Sequence, residues 1–327
     1  MTTGTPAASP SGTPGKAYLT SAEIRPLAQR SDWMGAWLVL HCWGVIAGAV
    51  ALFALWPNPL TALVAVMLIG SRQLGLAILM HEAAHNALFK SRRLNDGVGQ
   101  WLCARAILAD LPAYRHYHLT HHRYTQTERD PDLALSRKFP TTRASLARKF
   151  TRDLTGQTGV KQLLGQIRMA ITLAGDHEAM EAASNDFAQT FKSPRLLSAV
   201  PVFLAPMLMM GLLGDWWWGL AFWLLPYLTW FQFVVRLRNI AEHGAVEQSE
   251  DPFRNVRTTY AGPLARALVA PYWVNYHLEH HLVMHVPCWQ LPKMHRLLLD
   301  RGHGKEMRLA ASYGAALAEA GWRRQSR

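Results

Sequence analysis

The chain has 327 residues, half of them hydrophobic, and only 17% are charged. A soluble globular chain carries about 25% charge, so this composition excludes an ordinary soluble domain and points to a membrane protein. The net charge of +12 raises nucleic-acid binding as an option, but the distribution of the charge argues against it below. The three cysteines, Cys42, Cys103 and Cys288, form no CxxC pair. Neither a disulfide framework nor a cysteine zinc site is indicated.

Residues 1–20 open on a Thr/Ser/Pro/Gly-rich stretch that reads as a disordered tail. It lacks the basic start and apolar core of a signal peptide. Four segments are then apolar enough to cross a bilayer core of about 30 Å, which takes roughly 20 helical residues. They run over about 33–56, 60–80, 196–213 and 216–235. Trp56-Pro57-Asn58-Pro59 makes a tight turn between the first two, because proline cannot continue a helix. Gly214-Asp215 makes the other. The expected fold is an all-α integral membrane protein of four transmembrane helices in two hairpins. A membrane domain over 21–310 and a basic tail over 311–327 complete the domain reading.

The basic residues set the orientation. Of the 34 lysines and arginines, all but Arg72 fall in the N-terminal tail, in 81–195 or in 236–327, and none lies in the two outer turns. The positive-inside rule places both termini and the middle segment in the cytoplasm, here on the inner face of a bacterial inner membrane. The charge thus has a topological reading, and no nucleic-acid partner is expected. Arg72 sits inside the second span. An ionisable residue there either faces the bundle interior or snorkels to the interface. Between the hairpins, Val160, Leu163, Leu164, Ile167 and Ile171 recur at helical spacing, which fits a helix lying on the leaflet or packed on a cytoplasmic cap. The semi-apolar stretch 97–111 is too short to span.

Eight of the 15 histidines sit in three motifs: His81-Glu82-Ala83-Ala84-His85, His118-Leu119-Thr120-His121-His122 and His277-Leu278-Glu279-His280-His281. Positions i, i+3 and i+4 of a helix share a face, so each motif is expected to aim its imidazoles at one point. Imidazole is the commonest protein metal ligand and suits iron as well as zinc. A ninth histidine, His243, follows Asn239 by one turn just past the fourth span. Nine imidazoles exceed what one metal holds, which implies two metals under a helical cytoplasmic cap. Asp130, Asp132, Glu82 and Glu279 are candidates to accept hydrogen bonds from ligand imidazoles and so orient them; for the two aspartates the bland reading is capping of a Pro-broken turn.

These motifs closely resemble those of the membrane fatty acid desaturase family, which carries an HxxxH or HxxxxH motif and two HxxHH motifs on four spans. The likeness covers about 81–292. It includes Asn86-Ala87-Leu88-Phe89, Arg123-Tyr124-Thr125, Asp130-Pro131-Asp132 and Asn275-Tyr276, and Asn239 with His243 matches the family's NxxxH element. The resemblance implies two non-haem Fe ions, O₂ as cosubstrate and a lipid or acyl substrate. It implies His243 as a ligand and Asn239 as a residue near the metal, acting through water in some members. The chemistry agrees, because hydrogen abstraction from an unactivated methylene needs a metal-based oxidant that no side chain supplies. Desaturation of an acyl lipid is the preferred reaction. Hydroxylation or ketolation of a lipid or carotenoid is the alternative, and the run Pro287-Cys288-Trp289-Gln290-Leu291-Pro292 resembles both acyl-lipid desaturases and carotenoid ketolases.

Two further classes compete. His81-Glu82-Ala83-Ala84-His85 matches the HExxH signature of a zinc protease with Glu82 as general base, but that reading leaves both HxxHH motifs unexplained. A metal transporter would place its ligands near the bilayer midplane, and here they sit at span ends. No haem, iron–sulfur or flavin motif is evident in the chain. Electrons are therefore expected from an acidic carrier of the ferredoxin or cytochrome b5 type with its reductase, drawn to the basic face.

Overall fold

Ser31 and Asn58 start the first hairpin. Ser31 Oγ accepts from Met34 N at 3.2 Å and caps α1, Asp32–Leu55. Asn58 Oδ1 accepts from Leu60 N and Thr61 N at 3.0 and 3.1 Å, and Pro59 fills the first position of α2, Pro59–Ala84. Side-chain acceptors satisfy the amides that a helix start leaves open, and proline costs nothing there. The computed structural model describes Gly15, residues 18–173 and residues 194–321.

The described residues are mostly helical. Along the chain follow α3, Leu111–Tyr124; α4, Arg143–Leu154; α5, Gln157–Leu173; α6, Leu197–Leu213; α7, Leu220–His243; α8, His277–Leu282; α9, Leu291–Asp300; and α10, Tyr313–Ala320. A two-residue parallel ladder joins Thr258–Thr259 to Leu309–Ala310. Three helices, α1, α2 and α7, are long and apolar enough to cross a membrane. α6 is as apolar but shorter, and the residues before 194 lie outside the described ones.

α2 is the hub. Two-thirds of its most apolar stretch is buried, against one-third for α1. Its polar residues tie neighbours to it rather than facing lipid. Ser71 Oγ donates to Leu268 O at 2.5 Å and accepts from Trp230 Nε1 at 3.0 Å. Arg72 is buried, donates to Ala267 O at 2.6 Å and lies 5.6 Å from the Tyr272 ring centre. Of its two sequence readings, the interior one holds. Gln73 Nε2 donates to Trp223 O at 2.9 Å. That carbonyl belongs to a π-helical turn at Leu220–Leu224 that opens α7, and such turns leave backbone groups in need of partners.

α7 is longer than the expected 216–235. It bends at Thr229, whose hydroxyl bonds Leu225 O at 2.6 Å, a back-bond that bends helices. It then runs on to His243. At the bend α5 comes close: a Cβ on Gly159 would lie 2.3 Å from Leu228 O, so only glycine fits. On α5, Val160, Leu164 and Ile167 stay exposed while Leu163 packs on the core.

The ends differ from the sequence reading. The expected tail over 311–327 begins instead with Ser312 capping α10, which packs on α7 and buries Tyr313, Ala316 and Ala320. Glu319 on α10 pairs with the buried Arg257 at 3.0 Å and with Arg308 at 2.6 Å. Small apolar residues at helical spacing carry this packing, and the nearby basic residues masked the signal. Within 1–20, Leu19 is buried and Tyr18 lies on Phe253 with ring centres 4.0 Å apart. The rest of that segment, apart from Gly15 and Thr20, falls outside the described residues.

Candidate metal centre

Four helices meet at the histidines, α2, α3, α7 and α8, with His243 closing α7. His81 and His85 lie one turn apart at the end of α2. The last carbonyls of a helix have no intrahelical donor. Here Asn95 Nδ2 and Arg115 Nη2 donate to Ala83 O, each at 2.9 Å, and Arg115 Nε donates to Ala84 O at 3.0 Å. Asn86 follows with φ 55°, a left-handed turn that asparagine tolerates. A Cβ on Gly99 would lie 2.5 Å from Ala83 Cβ, so glycine lets the next turn close on this helix end. α3 starts on the Asp110 cap and carries His118, His121 and His122. α8 carries His277, His280 and His281. Its start is pinned by Leu278 N donating to Thr258 Oγ1 at 3.2 Å and by Asn275 bonding Thr259 through backbone and side chain, both at 3.0 Å.

The nine imidazoles form two groups. In the first, ring nitrogens of His81, His85, His118, His122 and His280 all lie within 4.8 Å of one another. His122 Nε2 is 3.0 Å from both His118 Nε2 and His280 Nε2. In the second, His121, His243 and His281 meet the same limit, and His277 joins through Nε2 contacts of 2.8 Å to His243 and 3.0 Å to His281. Each HxxHH motif is therefore split, contrary to the expected convergence on one point. On α3, His118 and His122 face the first group and His121 the second. On α8, His280 faces the first group and His277 and His281 the second. The i, i+4 pair projects one way and the i+3 residue the other, so two short helices serve two centres. His116 and His285 belong to neither group among the described residues.

The donor set fits cations. Both ring nitrogens of His81 and of His85 are buried with no hydrogen-bond partner, as are His280 Nδ1 and His243 Nδ1. A buried unpaired polar atom is costly, and two imidazole nitrogens pointing at one another cannot both be acceptors without a cation between them. Burial holds His118, His122, His277, His280 and His281 well below the ordinary imidazole range, with neighbouring imidazoles adding to it. Burial and then the Arg115 charge bring His85 to about 3. Neutral imidazoles are the form that binds metal.

Oxygen atoms stand behind the second group. Asp130 Oδ1 is 2.8 Å from His121 Nδ1, and its carboxylate also accepts from Gln126 N and Asp132 N, both at 2.8 Å. Burial alone would lower His121, but the Asp130 bond and the Asp132 and Asp130 charges outweigh it and raise its pKa. Asp132 accepts from Tyr117 Oη and lies 3.7 Å from His121 Nδ1. Burial foremost, and Asp130 beside it, raise Asp132. Glu242, held by Arg238 at 2.7 Å, lies 3.5 Å from His277 Nδ1. Thr125 Oγ1 is 3.3 Å from His281 Nδ1.

Two glutamates behave differently from the sequence reading. Glu279 reaches no motif imidazole; it bonds His295 Nδ1 at 2.6 Å and Thr258 Oγ1 at 2.5 Å. As the third residue of His277-Leu278-Glu279-His280-His281, two positions from His277 and His281, Glu279 lies off the face that those two share. Glu82 accepts from Cys288 N at 2.8 Å and lies 3.4 Å from His81 Nδ1. It clamps the segment after the third motif to α2, and a general base of a protease would need that carboxylate free. Glu242, Arg238, Thr125 and His295 escaped the sequence reading. Glu242 had one available signal: it sits beside His243 as Glu82 sits beside His81.

A cavity of about 440 Å³ opens on both groups. His81, His118, His121, His243 and His277 line it together with Asn239, which is one turn before His243. Leu74, Ile78, Ile107, Tyr227 and Phe231 give it apolar walls. Buried nitrogen donors at an apolar cavity form a setting for oxidising a hydrocarbon with water kept out.

Known proteins are similar to this sequence. The family model described as fatty acid desaturase matches residues 54–310. A dihydrorhizobitoxine desaturase of Bradyrhizobium elkanii is 30% identical over 313 residues, covering 90% of this chain and 81% of that one. A beta-carotene ketolase of Paracoccus sp. (strain PC1) is 26% identical over 266 residues, covering 79% of this chain and 86% of that one. The chain belongs to the fatty acid desaturase family and is an oxidoreductase.

Proposed function

We propose that the protein desaturates an acyl chain with O₂ at a histidine-held di-iron centre. The observation that carries this is the pair of buried, nitrogen-rich groups opening on one apolar cavity. His81, His85, His118, His122 and His280 would hold one iron, and His121, His243, His277 and His281 the other. The irons supply the oxidising power: O₂, two electrons and two protons take two hydrogens from adjacent carbons and yield an alkene and two waters.

The chain's own residues bind and orient. Leu74, Ile78, Ile107 and Phe231 hold the hydrocarbon and exclude water. Asp130 fixes the His121 tautomer, with Nδ1 donating and Nε2 left as the lone-pair donor. Glu242, 3.5 Å from His277 Nδ1, places a carboxylate beside that imidazole. Asn239 offers a side-chain amide beside the site, suited to a bridging water.

The second reading is oxygen insertion at one carbon, which the likeness to a ketolase favours. The protein is proposed to cross the bacterial inner membrane four times, α6 included, with both termini and the histidines cytoplasmic under a helical cap. Basic residues confined to one side support this. Electrons are proposed to come from an acidic ferredoxin or cytochrome b5 with its reductase. The test is to feed labelled acyl chains to cells making the protein and to profile their lipids. New unsaturated chains are expected. Unchanged acyl chains with an oxidised carotenoid would overturn desaturation in favour of the second reading.

A further inference from the structure

The cavity that touches the histidines also reaches a cluster of cations. Lys138, Lys149 and Arg236 line it. Arg236 is already satisfied by Asp153, which is fully buried and takes both its Nε and its Nη2, the latter at 2.9 Å. Lys149 donates to the neutral Ser145 Oγ at 2.9 Å and faces the Phe139 ring at 5.6 Å. Among the described residues no ion pair joins Lys138 or Lys149 to a carboxylate. Burial, then Arg236, Arg152, Lys138 and Arg148, push the Lys149 ammonium down from its ordinary value. Like charges gathered at a cavity wall oppose one another unless an anion sits among them.

A second observation points the same way. Gln166 on α5 is buried, lines the same cavity and has an amide oxygen with no partner. Gln162 lines it one turn earlier. An amide oxygen accepts, so Gln166 suits a hydroxyl or N–H in the polar part of a ligand.

The spacing connects this end to the histidines. Arg236, Asn239 and His243 follow at i, i+3 and i+7 along α7 and share a face. Seven residues at about 1.5 Å each separate Arg236 from His243 by about 10 Å, and apolar residues line the same cavity. We infer that the cavity takes an anionic amphiphile, its carboxylate or phosphate held by Lys138 and Lys149, a neighbouring donor of its polar part met by Gln166 Oε1, and its alkyl part laid toward Asn239 and the histidines. The identity of the reacting end rests on the proposed oxidation; the anion site itself does not.

The probe is spin-labelled stearic acid and its methyl ester, titrated by electron paramagnetic resonance onto the full-length, iron-loaded protein in phosphatidylcholine nanodiscs. The acid is expected to bind about tenfold tighter than the ester, the worth of one charge-assisted pair. Lys138→Met with Lys149→Met should bring the acid down to the ester and leave the ester unchanged. Lys138→Arg with Lys149→Arg should keep the difference, which separates lost charge from lost fold. Equal binding of acid and ester by the unaltered protein, or equal weakening of both by the methionine pair, would overturn the inference. In phosphatidylglycerol nanodiscs the ratio should persist; its collapse would mean that the lysines serve bilayer headgroups and not a substrate. Iron is counted in the same samples. Two irons without acid selectivity sink the anion site alone, and selectivity without iron sinks the oxidation alone.

Discussion

The two histidine groups are built on different principles. The five-histidine group has number: His81, His85, His118, His122 and His280 converge, and one carboxylate, Glu82 at 3.4 Å from His81 Nδ1, lies beside them among the described residues. The four-histidine group has support: Asp130 stands behind His121, Glu242 behind His277 and Thr125 behind His281. A carboxylate behind an imidazole fixes its tautomer and raises its basicity. One half of the site is thus held by surplus donors and the other by oriented ones. The lesson is that equal-looking motifs need not make equal centres.

The largest effect is expected where a donor is removed from the smaller group. His243→Ala should lose one iron per chain and turnover with it, whereas His85→Ala, with four imidazoles remaining, should keep more than half of its metal. Elemental analysis of the two variants decides this, and equal losses would erase the comparison. Next comes Asp130→Asn, which keeps the shape but weakens the acceptor. Loss of such a partner costs about 10–100-fold in metal affinity, measured by competition with a chelator. A drop confined to one iron sharpens the comparison, and an equal drop for both breaks it.

Acid should act in the same direction on both groups. Most of the cap histidines have folded-state pKa values below the ordinary 6.5, with His85 at about 3. The unfolded chain then binds protons first as pH falls. The iron-free protein should be most stable above pH 6.5 and lose stability from there toward pH 3. His121, raised by Asp130 and Asp132, and Asp132, raised by burial, bind protons more readily in the folded chain and offset this in part. Thermal melts between pH 7.5 and 5.5 check the slope; a melt that rises on acidification contradicts the burial of neutral imidazoles. The smallest effect is Thr125→Val, which removes the hydroxyl that donates to His121 O at 2.8 Å and faces His281 Nδ1 at 3.3 Å and should cost about 1 kcal/mol of stability per bond, with a shift at one iron in the Mössbauer spectrum.

Much of this was legible in the sequence because histidine spacing and apolar runs are local signals. The nine motif and NxxxH histidines gather in one region, as their motifs suggested, although each HxxHH motif divides between two groups, and Asp130 meets His121. The α1–α2 turn followed from Pro57, Asn58 and Pro59. What was not legible depends on neighbours distant in sequence. The splitting of each HxxHH motif needs the angle between α3 and α8. The partners of Glu82 and Glu279 are Cys288, Thr258 and His295, and no pattern within a motif names them. Helix α10 was hidden because its apolar spacing, Tyr313, Ala316 and Ala320, is short and sits among basic residues. The length of α7 was underestimated because Arg236, Arg238 and Glu242 end the apolar run before the helix ends.

The central claim is a two-iron site on one chain. Its most direct measurement is the metal content of the purified full-length protein, by elemental analysis with Mössbauer spectroscopy on iron-57-grown material. Two irons per chain with two distinguishable sites are predicted. A single zinc, or one iron per chain under saturating supply, would contradict the account.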